Sequence, residues 1–101
     1  MAEQLLYFSL EQVCRSLPMA REQVIEIVHL GIIQPIGQAP TQWQFDIDML
    51  AEAKRAWRLH RQLELDWPGV AVALQLLDQI DELKRENQQL HTQLNRFVIS
   101  N

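Results

Sequence analysis

Between Leu76 and Phe97 the chain repeats apolar residues at alternating steps of four and three: Leu76, Ile80, Leu83, Asn87, Leu90, Leu94 and Phe97. That rhythm is a heptad seam, with Ile80, Asn87 and Leu94 at the a positions and Leu76, Leu83, Leu90 and Phe97 at the d positions. The natural reading is a short coiled coil of about three heptads, and hence a homodimer. An asparagine at a costs stability but fixes register, because it pairs best with its counterpart, which favours two parallel strands. Packing of this helix on its own head, or on an antiparallel partner, is the alternative that the pattern leaves open.

The rest of the chain is short. At 101 residues, with 48% hydrophobic residues, it has material for one small domain plus a helical extension. No run of eighteen apolar residues occurs, so no membrane span is expected. The start, Met1-Ala2-Glu3-Gln4, lacks the basic opening and cleavage site of a signal peptide, which predicts a cytoplasmic protein. The single cysteine, Cys14, has no partner for an intrachain disulfide and no ligand neighbours at metal spacing. Its place in an apolar helical pattern predicts a buried small hydrophobe.

Local signals give the element order. Ser9 followed three residues later by Gln12 is a capping box and starts a first helix, with Leu10, Val13, Cys14 and Leu17 on one face and Pro18 after it. A second helix is predicted over Ala20 to Leu30, with Val24, Ile27, Val28 and Leu30 inward and Gly31 as its stop. Ile32 to Ile36 and Thr41 to Phe45 read as two short strands around the turn Gly37-Gln38-Ala39-Pro40, a small β-hairpin or wing. Asp46 caps a third helix that runs to about Glu64, with Met49, Leu50, Ala53, Trp57 and Leu63 on one side. Leu65 to Gly69 breaks it, and Asp66 can cap the last helix from about Val70. The order predicts a mainly α winged helix-turn-helix head over residues 1–66, followed by a helical dimerisation segment over residues 67–101 that carries the C-terminal coiled coil. Trp43, Trp57 and Trp67 are expected to fill core space.

Such a head usually suggests duplex DNA, and that requires cations facing phosphate. The second helix offers Arg21 and Gln23 but also Glu22 and Glu26, and the wing from Pro35 to Phe45 has no basic residue. The net charge of −4 is unevenly spread: residues 1–53 net −5, residues 54–61 net +4 and the remainder −3. The basic stretch Lys54-Arg55-Arg58-His60-Arg61 is the one signal for nucleic acid, and a solvated face pairing with Glu52 or Glu64 accounts for it as well. An acidic head attracts a basic protein surface instead, and Glu11, Glu22, Glu26, Asp46 and Asp48 are the candidate contacts. No direct nucleic-acid binding is expected. His29, His60 and His91 lack acid or thiol partners, and no phosphate loop or metal cluster is present. No catalytic residue, metal or cofactor is assigned, and the chain is not expected to be an enzyme.

The order helix, helix, Leu30-Gly31-Ile32-Ile33, wing, then Phe45-Asp46 opening a third helix resembles the MerR-type head. Glu26-Ile27-Val28-His29 stands where those regulators place Arg-Tyr-Tyr-Glu, and no cysteines follow the seam helix, which argues against duplex binding and metal sensing. A closer resemblance is to the CbpM chaperone-modulator family. It rests on Glu64-Leu65-Asp66-Trp67-Pro68-Gly69-Val70-Ala71-Val72-Ala73-Leu74, Trp43-Gln44-Phe45-Asp46 and Leu83-Lys84-Arg85-Glu86-Asn87, and covers about residues 7 to 98. The resemblance implies a non-enzymatic regulator that binds the J-domain of a CbpA-type, DnaJ-like co-chaperone and inhibits its co-chaperone and DNA-binding activities. J-domains display a basic helix to DnaK, so an acidic competitor is physically reasonable. The alternative is a MerR-type transcription regulator that uses the Arg55, Arg58 and Arg61 stripe.

Overall fold

A computed structural model describes residues 6–99. The first helix, α1, spans Leu10–Ser16. The Ser9 hydroxyl accepts the Gln12 backbone N–H at 3.2 Å, and the Ser9 N–H donates to Gln12 Oε1 at 2.8 Å. Two N–H groups at the helix entrance are thereby satisfied by one reciprocal pair. The helix ends at Leu17, because Pro18 has no N–H with which to continue it.

The second helix, α2, spans Arg21–His29 and packs on α1. Ala20 has no side chain with which to accept, so its end of the cap is one-sided: its N–H donates to Gln23 Oε1 at 2.9 Å. Val24 and Ile27 are buried, one turn apart, on the inward face. Gly31 then takes a left-handed φ of +77°. Its N–H reaches Val28 O, and the Ile32 N–H reaches Ile27 O, both at 3.0 Å. Those two bonds satisfy carbonyls that the helix end would leave bare.

In place of two regular strands, the wing holds one antiparallel bridge between Ile36 and Gln44, with N–H to O distances of 3.1 and 2.8 Å. Thr41 and Gln42 belong to a short 3-10 turn, Pro40–Gln42. Pro35 and Pro40 remove two ladder donors from so short a loop, which limits the pairing. Gly37 has φ +118°, and a Cβ there would lie 2.5 Å from the Gln42 carbonyl oxygen, so only glycine allows the loop to close this tightly. A second bridge joins Phe8 to Phe45 through reciprocal bonds of 2.8 and 2.9 Å.

The third helix, α3, spans Ile47–Gln62 and starts at Asp46, whose Oδ1 accepts the Met49 N–H at 2.8 Å. It ends two residues short of the expected Glu64. Leu63 serves as the C-cap and is 57% exposed, so it does not line the inner side with Ala53 and Ala56. Glu64 follows in a left-handed conformation at φ +52°. The fourth helix, α4, spans Trp67–Ile99 and starts earlier than Val70. Asp66 makes that early start possible, since its Oδ1 accepts the Gly69 N–H at 2.8 Å while Pro68 sits in the first turn, where no N–H is needed.

The chain divides between Ala71 and Val72 into two compact units. The core of the first comprises Leu10, Val13, Leu17, Met19, Val24, Ile27, Ile33, Trp43, Phe45, Ala53, Ala56, Trp67 and Val70, with no buried polar or charged residue among the described residues. Trp43 meets Phe45 edge to face at 6.1 Å. Cys14 is half-buried and not part of this core. In the second unit, every residue from Asp78 to Ile99 is exposed. Asp46→Ala is expected to lower the stability of the head by about 1 kcal/mol through loss of the α3 cap. Urea unfolding followed by circular dichroism measures this, and an unchanged midpoint would refute the capping role.

Candidate functional site

Three of the five candidate acids stand on α1 and α2. Glu11 lies in the first turn of α1 and is exposed. Arg21, at the start of α2, reaches it with an Nη1 to Oε1 distance of 3.5 Å, both side chains being at least half exposed. A pair so long and so solvated contributes little to stability. Glu22 and Glu26 are exposed one helical turn apart on α2, and neither has an ion pair among the described residues. Burial pushes the Cys14 thiol up from its ordinary range. The charge of Glu11 adds to this, Arg21 opposes it, and Glu22 raises it further. Burial first, and these acids second, favour the protonated thiol, which is a weak nucleophile.

The other two acids belong to α3. Asp46 is half-buried, and its carboxylate is committed to the Met49 N–H. Asp48 is exposed in the first turn of the helix, where the positive end of the helix dipole favours a carboxylate. The acids thus fall into a group of three on α1 and α2 and a pair whose local roles at a helix start are already explained.

The basic stripe of α3 is partly tied into its own neighbourhood. Arg55 pairs with Glu52 at 3.7 Å. The Arg61 guanidinium lies 5.9 Å from the Trp57 ring centre. His60 stacks on Trp67 at 4.2 Å and 10°, and its Nδ1 lies 2.6 Å from the Leu65 carbonyl oxygen, which fixes Nδ1 as the protonated nitrogen. Trp57 lies beside both rings, 5.8 Å from His60 and 6.4 Å from Trp67. Lys54 and Arg58 are exposed. Sequence reasoning left His60 without a role. The signal that could have found it is the three-residue step from Trp57 to His60 on one helix face, with Trp67 opening the next helix.

In the second unit the seam positions Leu76, Ile80, Leu83, Leu90, Leu94 and Phe97 are 46–72% exposed, and Asn87 is exposed among them. Interrupted only by Asn87, the six form an apolar stripe at helical spacing. Among the described residues no group of three histidines, cysteines or acids is placed to hold a metal ion, and no helix is long and apolar enough to cross a membrane.

Comparison with known proteins adds to this geometry. The model of the MerR helix-turn-helix family of regulatory proteins matches residues 8–92. A protein of Pseudomonas putida named chaperone modulatory protein CbpM is 40% identical over 94 residues, covering 93% of each chain. Proteins of the same name from Escherichia coli O1:K1 and Salmonella arizonae are 42% and 41% identical over 98 residues, covering 97% of each chain. The wing motif Trp43-Gln44-Phe45-Asp46 and the stretch Asp66-Trp67-Pro68-Gly69 that opens α4 both lie inside these matches. Near-complete coverage at such identity leaves one assignment: the chain belongs to the MerR helix-turn-helix family and to the CbpM family of chaperone modulatory proteins.

Proposed function

We propose that this protein is a non-enzymatic, cytoplasmic chaperone modulator that binds the J-domain of a CbpA-type, DnaJ-like co-chaperone. By covering the J-domain it inhibits both co-chaperone action and DNA binding. The observation that carries this reading is the pair of exposed, unneutralised carboxylates Glu22 and Glu26 on the helix that a duplex reader would direct at phosphate. A glutamate against phosphate is repelled, whereas against a lysine-rich and arginine-rich helix it steers encounter and sets register. The names of the relatives support the same reading.

On this reading the head over residues 1–66 recognises the partner, and the segment over residues 67–101 joins two copies. The apolar stripe supports a homodimer: burial of a leucine side chain that water now reaches contributes roughly 1.5–3 kcal/mol. Asn87 stands at an a position, where it selects the register. Neither a cofactor nor a membrane enters the mechanism, which is steric and electrostatic competition for the basic surface of the J-domain. A MerR-type DNA-binding regulator is the second reading, favoured by the family match and by exposed Lys54 and Arg58. A mobility-shift assay at low salt separates the two: retention of a specific duplex with no J-domain binding would favour DNA.

Glu22→Lys and Glu26→Lys are each expected to weaken J-domain binding by roughly fivefold or more, chiefly where the partner's cations face them. Titration calorimetry reads this directly, and wild-type affinity in both variants would remove the electrostatic part of the mechanism. Paired substitution of Leu83→Lys and Leu90→Lys is expected to yield a monomer at concentrations where the wild type sediments as a dimer, since two charges then occupy the seam. Sedimentation of the double variant as a dimer would show that the seam is not the interface.

A further inference from the structure

Pairing with Glu52 or Glu64 would reduce the basic stretch of α3 to a solvated face. Of its cations, Arg55 takes Glu52 at 3.7 Å. Glu64 follows the helix in a left-handed conformation and has no ion pair among the described residues. Lys54, Arg58 and Arg61 are exposed, and none of the three has an ion pair among the described residues. They recur at steps of four and then three, so they share one face of α3 over a rise of about 10 Å. The negative end of the helix dipole favours Arg61 in the last turn, but its effect fades within that turn and gives no account of Lys54 and Arg58. Beside this face lies a shallow groove of about 400 Å³, lined by Trp57, Arg58, Arg61 and Gln62. Trp57 is half-buried, and the Arg61 guanidinium lies over its ring, 5.9 Å from the centre. A guanidinium held against a ring keeps its N–H edge open to a carboxylate and loses less freedom when it binds one.

We propose that this face of α3 docks an acidic helical segment of a partner protein, whose carboxylates, spaced one turn apart, meet Lys54, Arg58 and Arg61. The site goes beyond the J-domain reading, which uses the acids of α2, and does not rest on it. Charge selects an anionic occupant, and the number of cations selects a peptide over a nucleic acid. Tight duplex binding draws on roughly six to ten phosphate contacts. Three free cations on one helix, beside a wing with no basic residue, supply too few. A helical peptide that offers one carboxylate per turn matches them one to one. The two arginines can each grip a carboxylate through paired N–H groups, and Lys54 meets the third as a point charge. Gln62 adds a neutral donor at the groove edge, and Trp57 offers apolar surface to the stem of a glutamate.

The test is fluorescence anisotropy of a fluorescein-labelled, alanine-based helical peptide with glutamates at i, i+4 and i+7, titrated at low salt with the full-length protein. The peptide is expected to bind the wild type, and its glutamine counterpart is expected not to bind. A peptide of the same composition with its glutamates spread around the helix is expected to bind roughly fivefold more weakly, because it meets one cation at a time. Paired substitution of Arg58→Glu and Arg61→Glu is expected to weaken binding roughly tenfold or more with helical circular dichroism unchanged, since both side chains are exposed. Reversal of two exposed arginines on α4, Arg85→Glu with Arg96→Glu, changes net charge equally and is expected to leave peptide binding as in the wild type. Absence of peptide binding, equal binding of the respaced peptide, or full binding by the α3 variant overturns the proposal. An oligonucleotide that displaces the peptide more effectively than unlabelled peptide does gives the face to nucleic acid and overturns it too. Self-association of the wild type that the α3 reversal abolishes gives the face to a second copy, with the same consequence.

Discussion

Two adjacent residues hold the head together. Gln44 exchanges both of its backbone hydrogen bonds with Ile36, and Phe45 exchanges both of its own with Phe8. Successive residues of an extended chain direct these groups to opposite sides, so the pair is bonded on both flanks. One flank closes the wing, and the other ties down the segment that leads into α1. The Phe45 ring is wholly buried and meets Trp43 edge to face, and the next residue, Asp46, caps α3. Three parts of the head, the wing, the approach to α1 and the start of α3, thus depend on one two-residue junction. In a head this small, where little apolar surface is available to bury, such a junction does work that a sheet would do in a larger domain.

A scaffold fixed in this way leaves its outward residues free to vary. Burial of Val24 and Ile27 sets which side of α2 faces in, and hence that Glu22 and Glu26 face out. The chain belongs to the MerR helix-turn-helix family, and its second helix presents Glu22 and Glu26 to solvent beside Arg21. Shape and charge are separable in this protein. Packing determines the first, and a few surface positions determine what the shape attracts.

Much of this was legible from local chemistry. Ser9 with Gln12, Gly31, Asp46 and Asp66 each mark a helix end through a hydrogen bond made within a few residues, and the structure places a boundary at each. The inward positions Val24 and Ile27 followed from helical period alone. What was not legible depends on residues far apart in the chain. Nothing near Phe8 announces that it will pair with Phe45, because bridge partners are chosen by the whole fold. The stacking of His60 on Trp67 needs the turn at Glu64, and the exposure of Leu63 needs α3 to stop at Gln62. Cys14 fits an apolar helical pattern, yet the fold leaves it only half-buried. Of the candidate acids, the spacing of Glu22 and Glu26 was readable, whereas the capping duty of Asp46 left that residue with two competing roles that sequence alone could not rank.

The central claim is that a duplex-reading shape has been given the polarity of a binder of cationic protein. Its most direct test is the affinity of the full-length protein for an isolated CbpA-type J-domain and, in parallel, for duplex DNA, measured across a salt series. The account predicts J-domain binding that weakens steadily as salt is added, and no specific DNA binding even at low salt. Salt-insensitive J-domain binding together with tight, strongly salt-dependent DNA binding would contradict it.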